Sequence, residues 1–207
     1  MAHPCPYFER ERDYDPVTGR DIGPWDSAAG DTDDVAAAAI ADALIDRRLL
    51  TVSVSLPVDA DYEADALSRD GRPFGIQISR PSGLSSMVTV LAAPAGQGAW
   101  GGLADAHIAA AHRDGATEAY ALDGVFGREV WVGYADHDVL VHGVDGPRWV
   151  CKVTHWARDL TAELVDEAEQ LTAGIIIARG NAPVPPGTAL DMRIIATSPD
   201  GETAERP

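Results

Sequence analysis

Six residues, Gly96-Gln97-Gly98-Ala99-Trp100-Gly101, spell a literal G-x-G-x-x-G, the string whose glycines let a backbone approach a pyrophosphate at a helix N-terminus. A strand-like run precedes it, a helix-like run follows, and Asp123 stands 22 residues beyond Gly101, where a ribose-binding acid belongs. Three features oppose a dinucleotide site. Pro94 and Ala95 intervene before the first glycine, Trp100 places a large ring where the pyrophosphate should lie, and the rest of the chain offers a β-meander instead of βαβ units. The string reads better as a glycine-rich connector into a helix.

The histidines do not form a metal site. His107 and His112 are five apart, about 140° around a helix axis, whereas a helical zinc pair is spaced by four. His137 and His142 are also five apart, so on an extended path they point to opposite faces, and His3 lies in the N-terminal segment. Asp138 and His155 face each other in the hairpin register expected below, but such a pair is more often structural than catalytic. No serine occupies a G-x-S-x-G elbow and no P-loop is present. Cys151 alternates with Trp149 and Val153, the pattern of a core thiol. No catalytic residue, metal ligand or cofactor is therefore assigned. Arg148 and Trp149 have the composition of a binding hot spot; with Trp25, Trp100 and Asp145 they form the candidate binding residues, although the alternation that buries Cys151 buries Trp149 too.

The element that must position most of these residues is the stretch 139–156, two alternating apolar runs around Asp145-Gly146-Pro147-Arg148. That is a β-hairpin pattern. With those four residues as the loop, Val144 pairs with Trp149, His142 with Cys151, Leu140 with Val153 and Asp138 with His155. Leu140, Val144, Trp149, Cys151 and Val153 then share one apolar face, which His142 interrupts.

Charge is the strongest compositional signal: 33 acidic against 16 basic residues, a net charge of −17. Residues 1–70 hold 16 of the acids and 6 of the bases. An acidic surface repels phosphate, which disfavours nucleic acid and anionic membranes as partners. The basic residues are fifteen arginines and one lysine, Lys152, a skew expected of a GC-rich genome. Two cysteines, Cys5 and Cys151, fit neither a disulfide framework nor a metal knuckle and point to a reducing cytoplasm. No apolar run approaches the roughly 20 residues of a membrane span, and the N-terminus lacks the apolar core of a signal peptide.

In chain order, residues 1–34 read as an acidic, proline-containing arm with Trp25 as an anchor, and 34–49 as an alanine-rich helix closing on Arg47 and Arg48. Strands are expected at 51–58, 74–79 and 86–92, with the acidic segment 59–70 open between helix and loop. A helix at 103–113 ends at Gly115; strands at 117–122, 128–134, 139–144 and 149–156 form the meander; a helix runs from 159 or 161 to 172 with Leu160, Leu164, Ala168 and Leu171 on one side. Ile175 to Ile177 form a short strand, 181–187 is proline-stiffened, and 196–207 is a tail. The architecture is a single α+β domain over 35–195, a mainly antiparallel sheet flanked by two or three helices, similar by analogy to the PsbP-like layered sandwich.

Several strings together resemble an actinobacterial family of unknown function, domain of unknown function family 3710. They are Gly23-Pro24-Trp25-Asp26, Ala92-Ala93-Pro94 with Trp100, Phe126-Gly127-Arg128-Glu129, the run from Gly143 to Trp149, and Arg179-Gly180 with Pro183, Pro185 and Pro186. The resemblance spans roughly residues 21–193 and implies no particular reaction. The functional expectation is a non-catalytic binding or accessory protein acting through protein contact, self-association included. The alternative is a small-molecule enzyme or nucleotide-binding protein using residues 96–101 or the Asp138/His155 pair.

Overall fold

The computed structural model describes residues 25–26, 51–57, 63–69, 72–94, 98–146, 148–179, 186–187, 191–197 and 203–205. Strands are β1 (Trp25–Asp26), β2 (Thr51–Pro57), β3 (Glu63–Arg69), β4 (Arg72–Ser79), β5 (Ser85–Ala92), β6 (Glu118–Gly124), β7 (Gly127–Gly133), β8 (Asp138–Asp145), β9 (Trp149–Ala157), β10 (Ile176–Arg179), β11 (Asp191–Thr197) and β12 (Thr203–Glu205). Two helices, α1 (Trp100–Arg113) and α2 (Ala162–Ala173), complete the described elements. The alanine-rich helix expected at 34–49, most of the arm and residues 181–185 lie outside the described residues.

Seven strands form one sheet in the order β3-β4-β5-β9-β8-β7-β6, with every neighbouring pair antiparallel. α1 carries the chain from β5 to the far edge, and the meander β6 to β9 then folds back until β9 pairs with β5. The fold is α+β. The smaller sheet runs β1-β10-β2-β11-β12 and is mixed: β1 is parallel to β10 and β11 to β2, while β10–β2 and β11–β12 are antiparallel, so every neighbouring pair reverses only in the large sheet.

The central strands read as nearly continuous apolar runs because the sheet is covered on both faces. On one face Trp100, Ala104 and Ala111 of α1 pack on Val130, Val132, Val139 and Val141. On the other, Val165 and Ala168 of α2 pack on Leu84, Trp131 and Leu140, while Leu171, Ile175 and Ile177 continue the core over Ile76, Val88, Trp149, Cys151 and Val153. Each fully buried aliphatic side chain contributes roughly 1.5–3 kcal/mol. Thr161 caps α2, its hydroxyl accepting the Leu164 N–H at 3.5 Å. α1 closes on Gly115, which takes φ +91° while Ala116 N–H bonds the Ala111 carbonyl at 3.0 Å.

Two expectations are corrected. The hairpin pairs Asp145 with Val150, Val144 with Cys151, His142 with Val153, Leu140 with His155 and Asp138 with Ala157. The loop sits one residue further along, which moves each partner by two and leaves every side chain on its expected face. Asp145 stays in the strand because its carboxylate is needed on the α1 side, and Trp149 stays at the loop end because its ring fills the space over Gly146, where a Cβ would meet it at 2.1 Å. The acidic segment left open between helix and loop contains the edge strand β3, paired with β4 through a bulge at Leu67/Ser68.

The topology also separates the parts of a dinucleotide site. β5 and β6, which would be parallel neighbours there, have β9, β8 and β7 between them.

Candidate functional site

Four of the five candidate binding residues meet at one corner, where α1 begins. Ala99 and Trp100 direct their N–H groups to Asp145 Oδ1 at 2.8 and 3.1 Å, so a strand residue caps the helix. That carboxylate occupies the helix N-terminus at which a pyrophosphate would bind. Gly98 lies against it too, a Cβ there meeting Asp145 Oδ2 at 3.1 Å; Gly96 and Gln97 are outside the described residues. The Trp100 ring is buried on Gly143, where a Cβ would lie 1.9 Å from the indole, and its Nε1–H donates to the Arg128 carbonyl at 2.5 Å. Arg128 also pairs with Asp105 of α1. Trp149 is buried, and Arg148, half-buried, accepts the Ala93 N–H on its carbonyl at 3.0 Å. Trp25 lies elsewhere, in β1, paired with Ile176 of the smaller sheet.

A second constellation lies on the α2 side of the sheet. Ser86, Glu129, His142, His155 and Thr172 are each at most 1 % exposed, yet all are polar. Cross-strand register brings the first four together on one face, and Thr172 comes down onto them from α2. Their protons can be counted. Thr172 has one hydroxyl proton, which it gives to the Ala168 carbonyl at 2.9 Å. His142 Nδ1 at 2.8 Å and His155 Nε2 at 3.0 Å from the same oxygen must therefore both be N–H donors. Burial, with Arg80 adding a smaller repulsion, pushes the His155 pKa down to about 3, so its ring is neutral. Its Nδ1 is then bare and accepts from Ser86 Oγ at 2.8 Å. His142, with its Nδ1 proton committed, turns Nε2 toward Glu129 Oε2 at 3.7 Å.

The β6–β7 turn completes the Glu129 environment. Phe126 N–H donates to Glu129 Oε1 at 2.9 Å, and the Phe126 ring lies 4.8 Å from that of His142. Gly124 leaves the room, since a Cβ there would fall 2.2 Å from the carboxylate. Chemically, Ser86 and His155 have the spacing of a nucleophile and its base. The third group is a threonine hydroxyl instead of a carboxylate, and the buried groups tie α2 to β5, β9 and β8 by directional bonds.

Asp138 and His155, expected to pair, are apart: Asp138 Oδ2 accepts the Leu160 N–H at 3.3 Å while His155 bonds Ser86 and Thr172. Cys151 is a free, buried thiol whose pKa burial raises. Among the described residues no group of three or more His, Cys, Asp or Glu is placed to hold a metal ion. Sequence reasoning singled out His142 as a polar break in an apolar face but did not join it to His155, Ser86, Glu129 or Thr172. Strand parity was the available signal; the long separation of Thr172 hid the rest.

An antiparallel seven-stranded sheet with one described helix on each face, a tryptophan-filled corner and a buried polar cluster define the structural class as an α+β protein of layered build. Within it, the chain belongs to the DUF3710 family, described as proteins of unknown function, whose family model matches residues 23–199. The Phe126-Gly127-Arg128-Glu129 and Gly143-to-Trp149 strings line the two constellations just described. No curated protein matches the chain. No helix among the described residues is long and apolar enough to cross a membrane.

Proposed function

We propose that the chain is a non-catalytic binding or accessory protein that works through protein contact at the edge strand β6, beyond which no strand lies among the described residues. The observation that carries this reading is the contrast between the two edges of the large sheet. β3 is interrupted by a bulge and carries Glu63, Asp65 and Arg69, devices that discourage pairing. β6 pairs with β7 without a break and has the uncharged run Ala119, Tyr120, Ala121, Leu122 at its centre. Gly124 and Gly127 close the β6–β7 hairpin, so alternate residues from Gly124 back to Glu118 bond β7, and Ala119 and Ala121 turn their backbone groups outward. Such an edge accepts an added strand, with a second copy of this chain as the simplest donor. The burial of Ser86, His155 and Glu129 supports the non-catalytic part of the reading. A free, buried Cys151 supports a reducing, cytoplasmic setting.

Ala121→Pro tests it, because proline removes an outward N–H and spares the ladder to β7. The expected result is that light scattering finds the parent chain self-associated, or affinity capture finds it with one stoichiometric protein, and that Ala121→Pro loses the contact while keeping its melting temperature. A proline variant that retains the same assembly overturns the β6 reading.

A further inference from the structure

Lys152 is the one lysine of a chain with 33 acidic residues. It stands mid-strand in β9, with Thr89 of β5 and Gly143 of β8 as its register partners. Gly143 carries the Trp100 ring, so the lysine stem rises from the same face, beside α1. α1 covers the β6–β8 side of that face; on the β4–β5–β9 side Gln77, Met87, Leu91, Thr154 and Trp156 are only half-buried. Among the described residues no carboxylate or hydrogen-bond acceptor meets the Lys152 ammonium. Its ionisable neighbour is His107 of α1, a group of the same charge type, and each is pushed down from its ordinary pKa, chiefly by burial.

A second group beside it also lacks a partner. Thr154, two residues along and on the same face, has a buried hydroxyl oxygen with no hydrogen bond. The Thr89 hydroxyl is occupied, donating at 3.4 Å to the Lys152 carbonyl. Lys152 and Thr154 stand two residues apart on one face of the strand, about 7 Å between their Cα atoms, so a carboxylate can offer one oxygen to the ammonium and the other to the hydroxyl. The surrounding Met87, Leu91 and Trp156 suit an apolar body attached to it.

We propose that this half of the sheet face is a binding site for the carboxylate of a small organic acid with an apolar body, held by the Lys152 ammonium and the Thr154 hydroxyl. The site is on the opposite face of the sheet from the sealed histidine chain and away from β6, and does not depend on the protein-contact reading.

Because the chain has one lysine, growth on 13C-lysine gives a single Cε resonance, and its pH titration in the full-length protein reports this amine alone. The expected result is a ligand-free midpoint below the ordinary lysine value of about 10.4, raised by about one unit on saturation with octanoate and unmoved by octanol, which lacks the carboxylate. Thr154→Val should weaken octanoate binding about tenfold, and Lys152→Met should abolish it. A ligand-free midpoint at or above the ordinary value means that a carboxylate of the chain itself fills the site, and overturns the proposal. So does a resonance that millimolar octanoate leaves in place.

Discussion

Acidification should destabilise this protein through one identifiable ring. His155 is fully buried and neutral, with its pKa pushed down to about 3, whereas the unfolded chain offers the same imidazole at its ordinary 6.5. As pH falls below the unfolded value the unfolded state takes up a proton that the native state refuses. Stability is therefore highest above pH 6.5, drops between about 6.5 and 3, and levels off once the native ring can also be charged. Proton linkage over that window gives a loss of about 2 kcal/mol from pH 7 to pH 5 and about 3 kcal/mol by pH 4. The charged form is disfavoured because the ring is buried away from water, with the nearby Arg80 charge adding a smaller repulsion. Guanidinium unfolding at pH 7 and pH 5, run on the parent and on His155→Gln, measures the contribution. Glutamine keeps a donor and an acceptor but does not titrate, so the variant should be less stable at pH 7 and lose about 2 kcal/mol less than the parent on going to pH 5. Equal losses in the two proteins would refute the assignment of a buried, neutral His155.

Two further substitutions probe the described constellations. Thr172→Val keeps the volume but leaves the His142 and His155 N–H groups without their acceptor, and should cost about 2–4 kcal/mol, seen as a melting temperature lower by roughly 10 °C. Gly143→Ala drives a methyl to within 1.9 Å of the Trp100 ring; it should cost about 3 kcal/mol and shift tryptophan emission to longer wavelength, and an unchanged spectrum would show that the ring does not rest there.

The larger sheet was readable in the chain because its strands announce themselves. β5, β7, β8 and β9 are apolar runs bounded by turn formers, and each was placed to within a residue or two. α1 was placed short, because the expected start ignored that Trp100 and the two glycines after it could belong to the helix once Asp145 caps it from another strand. β3 escaped because an edge strand bearing Glu63, Asp65 and Arg69 has little apolar alternation to show. The hairpin loop lies one residue beyond its expected place, and the pairing moves by two, for a comparable reason: a turn-forming string starting at Asp145 fixes where the chain reverses only when its first residue has no task elsewhere, and Asp145 has one. The polar chain was half-legible. Strand parity puts His142 and His155 on one face, but nothing local says that Thr172, 17 residues beyond His155, comes down between them.

The helix that begins at Trp100 is finished by a residue 45 positions later. On a ribosome its sequence emerges well before β8, so for that interval it has neither the carboxylate that ends its first turn nor the glycine on which its indole rests. Chains that end before Gly143 and Asp145 lack both the cap of this helix and the surface on which its indole rests.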